Sequence, residues 1–213
     1  MVDSAPCNSG LSIHPVVGVG RNNRFNKLLE RLLHSAQQRI SICTPYFNLP
    51  KPLLKAIDQA LVRGVQVEII VGDKTANDFY IPPSEPFKVI GGLPYLYEMN
   101  LRRFARQHQG AIERGQLQLR LWKDGDNSYH LKGVWVDQHL QLITGNNLNP
   151  RAFWLDLENG LLIHDQHGQL QSITERELAN IRQHTSVLSH YRQLERLEHY
   201  PDKVRKLLAR LNR

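Results

Sequence analysis

Residues 39–71 constrain the fold more than any other stretch of this chain. Arg39-Ile40-Ser41-Ile42-Cys43-Thr44 reads as a short buried strand, its β-branched isoleucines suited to a pleated surface. Leu53, Leu54, Ile57 and Leu61 then recur at helical spacing up to Gly64, and Val65-Gln66-Val67-Glu68-Ile69-Ile70-Val71 reads as a second strand. A strand–helix–strand unit needs a crossover, so its two strands lie parallel in one sheet. The chain is therefore expected to be an α/β protein, a mixed sheet flanked by helices.

The rest of the sequence extends that unit. Residues 1–20 show no sustained period and read as an irregular N-terminal segment. Phe25, Leu28, Leu29, Leu32 and Leu33 mark a helix. A long proline-rich loop over 73–93 carries Phe79, Tyr80 and Phe87, and loops of this length are commonly functional. A helix is expected over 95–109, with strands over 117–122, 133–136, 140–144 and 159–163 and a turn at Asp137-Gln138. Helices over 170–184, 186–198 and 202–212 are expected to close the chain. This divides it into an irregular 1–20, a domain over 21–168, and a helical extension over 169–213.

The 213 residues carry a net charge of +7, which favours an anionic partner: nucleic acid, an anionic membrane surface or a phosphorylated substrate. Two cysteines without metal-ligand spacing suggest a reduced, cytoplasmic chain. No apolar run approaches the ~18–20 residues of a membrane span, so membrane contact is expected to be peripheral. The C-terminal segment offers a means. Val204, Leu207, Leu208 and Leu211 form one helical face, ringed by Lys203, Arg205, Lys206 and Arg210, as in a helix resting on an anionic bilayer.

The chemistry concentrates between Tyr129 and Asp165. His130 and Lys132 stand two apart, so on a strand they share a face. Asp137 lies at the strand end, where a carboxylate orients a neighbour or caps backbone donors. A Gly145-Asn146-Asn147 turn and Glu158 follow. Imidazole can serve as nucleophile or as acid and base near neutrality. Lys132 and Asn147 can donate to phosphoryl oxygens. Glu158 is expected to hold the second ring nitrogen of His130. This set suits attack on a phosphodiester without a metal. In the 73–93 loop, Lys74, Asn77 and Asp78 are candidate substrate contacts. Tyr46, Asn48, Asn149 and Arg151 are others.

His130-x-Lys132-x4-Asp137 resembles the HKD motif of the phospholipase D superfamily. Thr44 to Pro50, Val71 to Tyr80 and Tyr129 to Asp165 resemble one branch of it, the phospholipase D-like bacterial phosphatidylserine synthases, from about Leu11 onward. That resemblance implies a phosphatidyltransferase of phospholipid synthesis. CDP-diacylglycerol and L-serine would be its substrates, a phosphatidyl-histidine its intermediate, and it would use no cofactor or metal. On the same analogy, His130 acts as acid and base opposite a nucleophilic histidine. Two departures stand out. Gly145 occupies a position where the superfamily often has serine. None of the other nine histidines has a lysine two residues later, so the motif occurs once where the superfamily uses two. The chain resembles the C-terminal half of such an enzyme, and a homodimer mate or an N-terminal half would supply the second motif. A single-motif homodimeric nuclease is the competing reading, disfavoured by the synthase-like words outside the motif, so nucleic acid is not the expected partner. A fragment that keeps the fold without turnover is the third.

Overall fold

A computed structural model describes residues 10–82 and 84–211. Eight strands form one sheet in the order β1-β7-β6-β5-β2-β3-β4-β8. These are β1 (Leu11–Val19), β2 (Arg39–Thr44), β3 (Gln66–Gly72), β4 (Leu117–Trp122), β5 (Gly133–Val136), β6 (Leu140–Thr144), β7 (Leu157–Asp165) and β8 (Thr185–Leu188). The strand–helix–strand unit is present as read: after α1 (Arg24–Ser35) come β2, α2 (Lys51–Val62) and β3, with β2 and β3 parallel. Strand β4 joins β3 in parallel, and the remaining pairs are antiparallel.

Side-chain alternation along the central strands creates two different layers. Ile40, Ile42, Val67, Ile69, Leu117 and Leu119 face α1 (Arg24–Ser35), α2 and α3 (Leu93–Gln107) in the main core, against Phe25, Leu29, Ile57 and Phe104. Helix α1 begins where Asn23 accepts from the amide of Asn26 at 2.8 Å, an N-cap. The opposite face combines a small apolar cluster (Cys43, Ile70, Tyr129, Trp135) with a polar one. There Glu68 accepts from Arg120 at 2.7 Å and Arg182 at 2.7 Å, tying β3 and β4 to α6 (Gln171–Arg182).

Two expectations need correction. Residues 11–19 are not irregular: they form β1, paired along its length with β7. Pro15 obscures the pattern, and its missing N–H is tolerable because β1 is an edge strand. Residues 186–198 are not a helix. They form most of β8, antiparallel to β4, and two 3₁₀ turns. Both ends of the chain thus contribute to the sheet. The rest of the 1–20 segment, residues 1–9, lies outside the described residues, as does the end of the expected 202–212 helix, α7 (Asp202–Leu211).

Burial pushes the Glu68 carboxyl up, yet the two guanidiniums outweigh it and hold the group below the usual carboxylate range. Such a group stabilises the fold above its unfolded-state pKa, and that contribution vanishes as pH falls through the folded-state value. Urea denaturation of the chain should therefore show a midpoint that declines in acid below about pH 4, and Glu68→Gln should flatten that decline while lowering stability at neutral pH.

Candidate active site

The loops at the C-terminal ends of parallel β2 and β3 meet the approach to β5 and the turn after β6. His130 and Lys132 lie in the irregular lead-in to β5 rather than on the strand, yet they come together as expected. Lys132 Nζ is 2.5 Å from His130 Nδ1 and 3.3 Å from Nε2. His130 is exposed, and Lys132 is half-buried. Burial holds the Lys132 ammonium below its ordinary pKa, opposed by the charges of Asp78 and Glu158.

Asp78, from the loop after β3, places Oδ2 at 3.5 Å from His130 Nε2. The carboxylate beside the ring is thus Asp78. Glu158 was expected there, but among the described residues it has no hydrogen bond to His130. It sits at the start of β7 with its carboxyl lifted by burial and by Asp156, while Lys132 opposes the lift. Asp137 is a second correction to the expected catalytic set. It lies at the far end of β5, four strand residues or ~13 Å along from the lead-in. There it accepts from the backbone amides of Gln37 (3.1 Å), Gln38 (2.8 Å) and Arg39 (2.9 Å), the capping role rather than a part in the chemistry.

Asn147 lies in the turn after β6, against the end of β2. Its carbonyl oxygen accepts from Thr44 Oγ1 at 2.8 Å, and its side-chain Oδ1 is buried with no partner among the described residues. A buried amide left open in this way is costly unless something else supplies the bond. Its side chain lies against the Tyr46 hydroxyl, which also receives a hydrogen bond from Asn149 Nδ2 at 3.0 Å. Asn149 Oδ1 meanwhile caps α5 (Pro150–Trp154) by accepting from Ala152, so its role is to seat Tyr46. Tyr46 stacks on Tyr97 with ring centres 4.2 Å apart.

The other candidates divide. Asn77 caps the amide of Phe79 and lines the cleft below Tyr46. Lys74 is clasped by Glu98 and Glu195, each at 3.0 Å. Asn48 accepts from Asn100 at 3.2 Å. Arg151 is 79% exposed and pairs with Asp156. Lys203, Arg205, Lys206 and Arg210 are exposed along α7, whose Val204 and Leu208 are not free but buried against Tyr95 and Tyr200. Sequence reasoning gave Glu98 no role, since a glutamate inside an amphipathic helix carries no signal of its own.

With this geometry in place, likeness to known proteins can be weighed. Residues 29–182 match the domain family described as "cardiolipin synthase, PLD-like domain". The chain belongs to the phospholipase D-like family. Among its relatives, a CDP-diacylglycerol–serine O-phosphatidyltransferase of Escherichia coli (strain K12) is 58% identical over 97% of this chain and 46% of its own length. The Haemophilus influenzae enzyme of the same description is 57% identical over 95% and 45%. The crystal structure of the Haemophilus influenzae phosphatidylserine synthase superposes with a TM-score of 0.93, again over 95% of this chain and 45% of that one. A phospholipase D family member from Salmonella typhimurium, Nuc, is 18% identical with a TM-score of 0.55, covering 82% of this chain and 99% of that one, a likeness of fold alone. This phospholipase D-like chain spans about half the length of the curated relatives it matches.

The Asp78–His130 contact yields a prediction. Asp78→Asn keeps the shape but removes the negative charge 3.5 Å from the ring. Any phosphodiester turnover measured with this chain should fall on the order of 100-fold, with circular dichroism and melting temperature little changed.

Proposed function

We propose that this chain supplies one half of the active site of a phosphatidyltransferase that makes phosphatidylserine and CMP from CDP-diacylglycerol and L-serine. The observation that carries this reading is the Asp78–His130–Lys132 cluster, in a chain 58% identical to a CDP-diacylglycerol–serine O-phosphatidyltransferase over about half that protein's length. A histidine from a second motif attacks the phosphorus next to diacylglycerol. The P–O bond to CMP breaks, and His130 donates its proton to the departing CMP. His130 then takes the proton of the serine hydroxyl as that oxygen attacks and the P–N bond to the other histidine breaks. Lys132 and, through its Nδ2, Asn147 donate to the phosphoryl oxygens as charge grows on them. Asp78 steadies the imidazolium, and Glu158 keeps Lys132 charged.

The second motif comes from a partner half, and one face of the sheet suits its docking. Ile13, Val17 and Val19 on β1, Leu157 and Leu161 on β7 and Ile143 on β6 lie exposed as one apolar surface, with Leu157 70% and Val19 61% exposed. It adjoins Thr144 and Gly145 at the edge of the site. Contiguous apolar patches of this kind mark interfaces.

Contact with the membrane is electrostatic. The apolar face of α7 is occupied by the domain, so Lys203, Arg205, Lys206 and Arg210 rest on anionic headgroups, each contributing ~1 kcal/mol. No helix among the described residues is long and apolar enough to cross a membrane.

Two measurements test the proposal. With a partner half present, CMP release from CDP-diacylglycerol and serine should persist in EDTA, and His130→Asn should reduce it by ~10²–10⁴-fold. Loss of activity in EDTA would sink the metal-free mechanism, and cleavage of DNA without CMP release would replace the reading with a nuclease. For the partner surface, the double variant Val19→Asp, Leu157→Asp should abolish both association, read by sedimentation, and turnover. Its isolated fold should survive, because neither side chain is in the core.

A further inference from the structure

Beside the loop that carries Asp78 lies a narrow cleft of about 20 Å³, which an amino acid would enter by parting the Lys74–Glu98 bridge. Tyr46, Tyr97, Asp73, Asn77, Lys74 and Glu98 are among the residues that line it. Its link to the site is short. Asn77 precedes the Asp78 that contacts His130. Gly72 packs so closely on Tyr129, the residue before His130, that a side chain there would lie 3.1 Å from the tyrosine Cβ and 2.9 Å from the carbonyl oxygen of Pro45. The cleft is lined by both signs of charge, and the signs do not cancel. Lys74 is the one ammonium, facing the carboxylates of Glu98 and Glu195, and Asp73 stands at the rim with one oxygen taken by Thr75. Lys74 and Glu98 are only 11% and 12% exposed. The lining therefore has a surplus of negative charge with a buried cation in its midst.

We propose that this cleft is the acceptor site, and that it selects a hydroxylated α-amino acid over other alcohols, Glu98 binding the ammonium group and Lys74 the carboxylate. The inference rests on the phosphatidyltransferase reading and adds the origin of its selectivity. A zwitterion is the one small ligand that can enter such a pair without leaving a buried charge alone. It replaces the Lys74–Glu98 bridge with two bridges of the same kind, so neither charge loses its partner. A neutral alcohol would leave the bridge closed. An amino alcohol without a carboxylate would displace Lys74 and leave it half-paired. Discrimination by unpaired buried groups reaches far beyond what apolar contact allows. The bound amino acid would present its hydroxyl toward Asn77 and Asp78, on the His130 side. Burial already lifts the Glu98 carboxyl against the pull of Lys74, so a second cation there is welcome.

The test compares L-serine, 3-hydroxypropionate (no amine) and ethanolamine (no carboxylate) as acceptors, with the chain assembled with its partner half. Glu98→Gln should raise the KM for serine at least tenfold with a much smaller change in kcat. It should also collapse the preference for serine over 3-hydroxypropionate, and Glu98→Asp should restore part of both. Lys74→Met should erode the preference over ethanolamine instead. Calorimetry of L-serine binding reads the cleft independently of turnover: binding lost in Glu98→Gln supports the assignment even if the transferase reading fails. No serine binding to the unsubstituted protein would overturn it. So would equal losses with all three acceptors, or a fall in melting temperature at unchanged KM, which would make Lys74–Glu98 a strap that only fastens the C-terminal segment to α3.

Discussion

The geometry of the site depends on the register of β5 against β2, and the carboxylate of Asp137 fixes that register. It collects the amides of Gln37, Gln38 and Arg39 as the chain enters β2, while its own amide donates to the Arg39 carbonyl at 2.8 Å. From that clamp, Val136 pairs with Ile40 and Gly133 with Cys43. His130 and Lys132 are thereby delivered to the C-terminal ends of β2 and β3. A slip of one residue would turn every side chain of β5 to the wrong face. Asp137 itself adopts a positive φ of 52°, a conformation that aspartate tolerates better than most residues. The third letter of the motif thus acts through the backbone, a strand's length from the chemistry it makes possible.

Around that clamp, the sheet has three kinds of surface. The face toward α1, α2 and α3 is apolar and accounts for the main core. The other face is held at its centre by Glu68, Arg120 and Arg182, a buried charge cluster that is stable only because every member is paired. Toward β1 and β7 that order gives way to exposed valine, leucine and isoleucine. The loops of the site lie at the C-terminal ends of the central strands β2 and β3. The open apolar surface adjoins Thr144 and Gly145, in the turn that follows β6.

Much of this was legible in the sequence, and the failures have physical causes. The α/β class, the parallel β2–β3 pair and the meeting of His130 with Lys132 follow from short-range patterns. Strand β1 escaped because Pro15 interrupts its alternation, and β8 because four residues carry too little period to outweigh neighbouring helical spacing. Glu158 was paired with the wrong partner, and Asp78 was read as a substrate contact only. Their positions depend on how a 20-residue loop and a distant strand are laid over the site, which no local spacing records. The same holds for α7, where a basic amphipathic pattern looks alike whether its apolar stripe faces lipid or Tyr95 and Tyr200.

By itself the sequence determined the chemical groups available, the elements with strong periodicity and the family to which the chain belongs, because these are properties of neighbouring residues. Tertiary structure decided which carboxylate stands beside the imidazole, which aspartate is a clamp, and that Lys74 and Glu98 share a cleft beside the loop that carries Asp78. Those relations join residues from 24 to 100 positions apart, and only the tertiary fold brings them together.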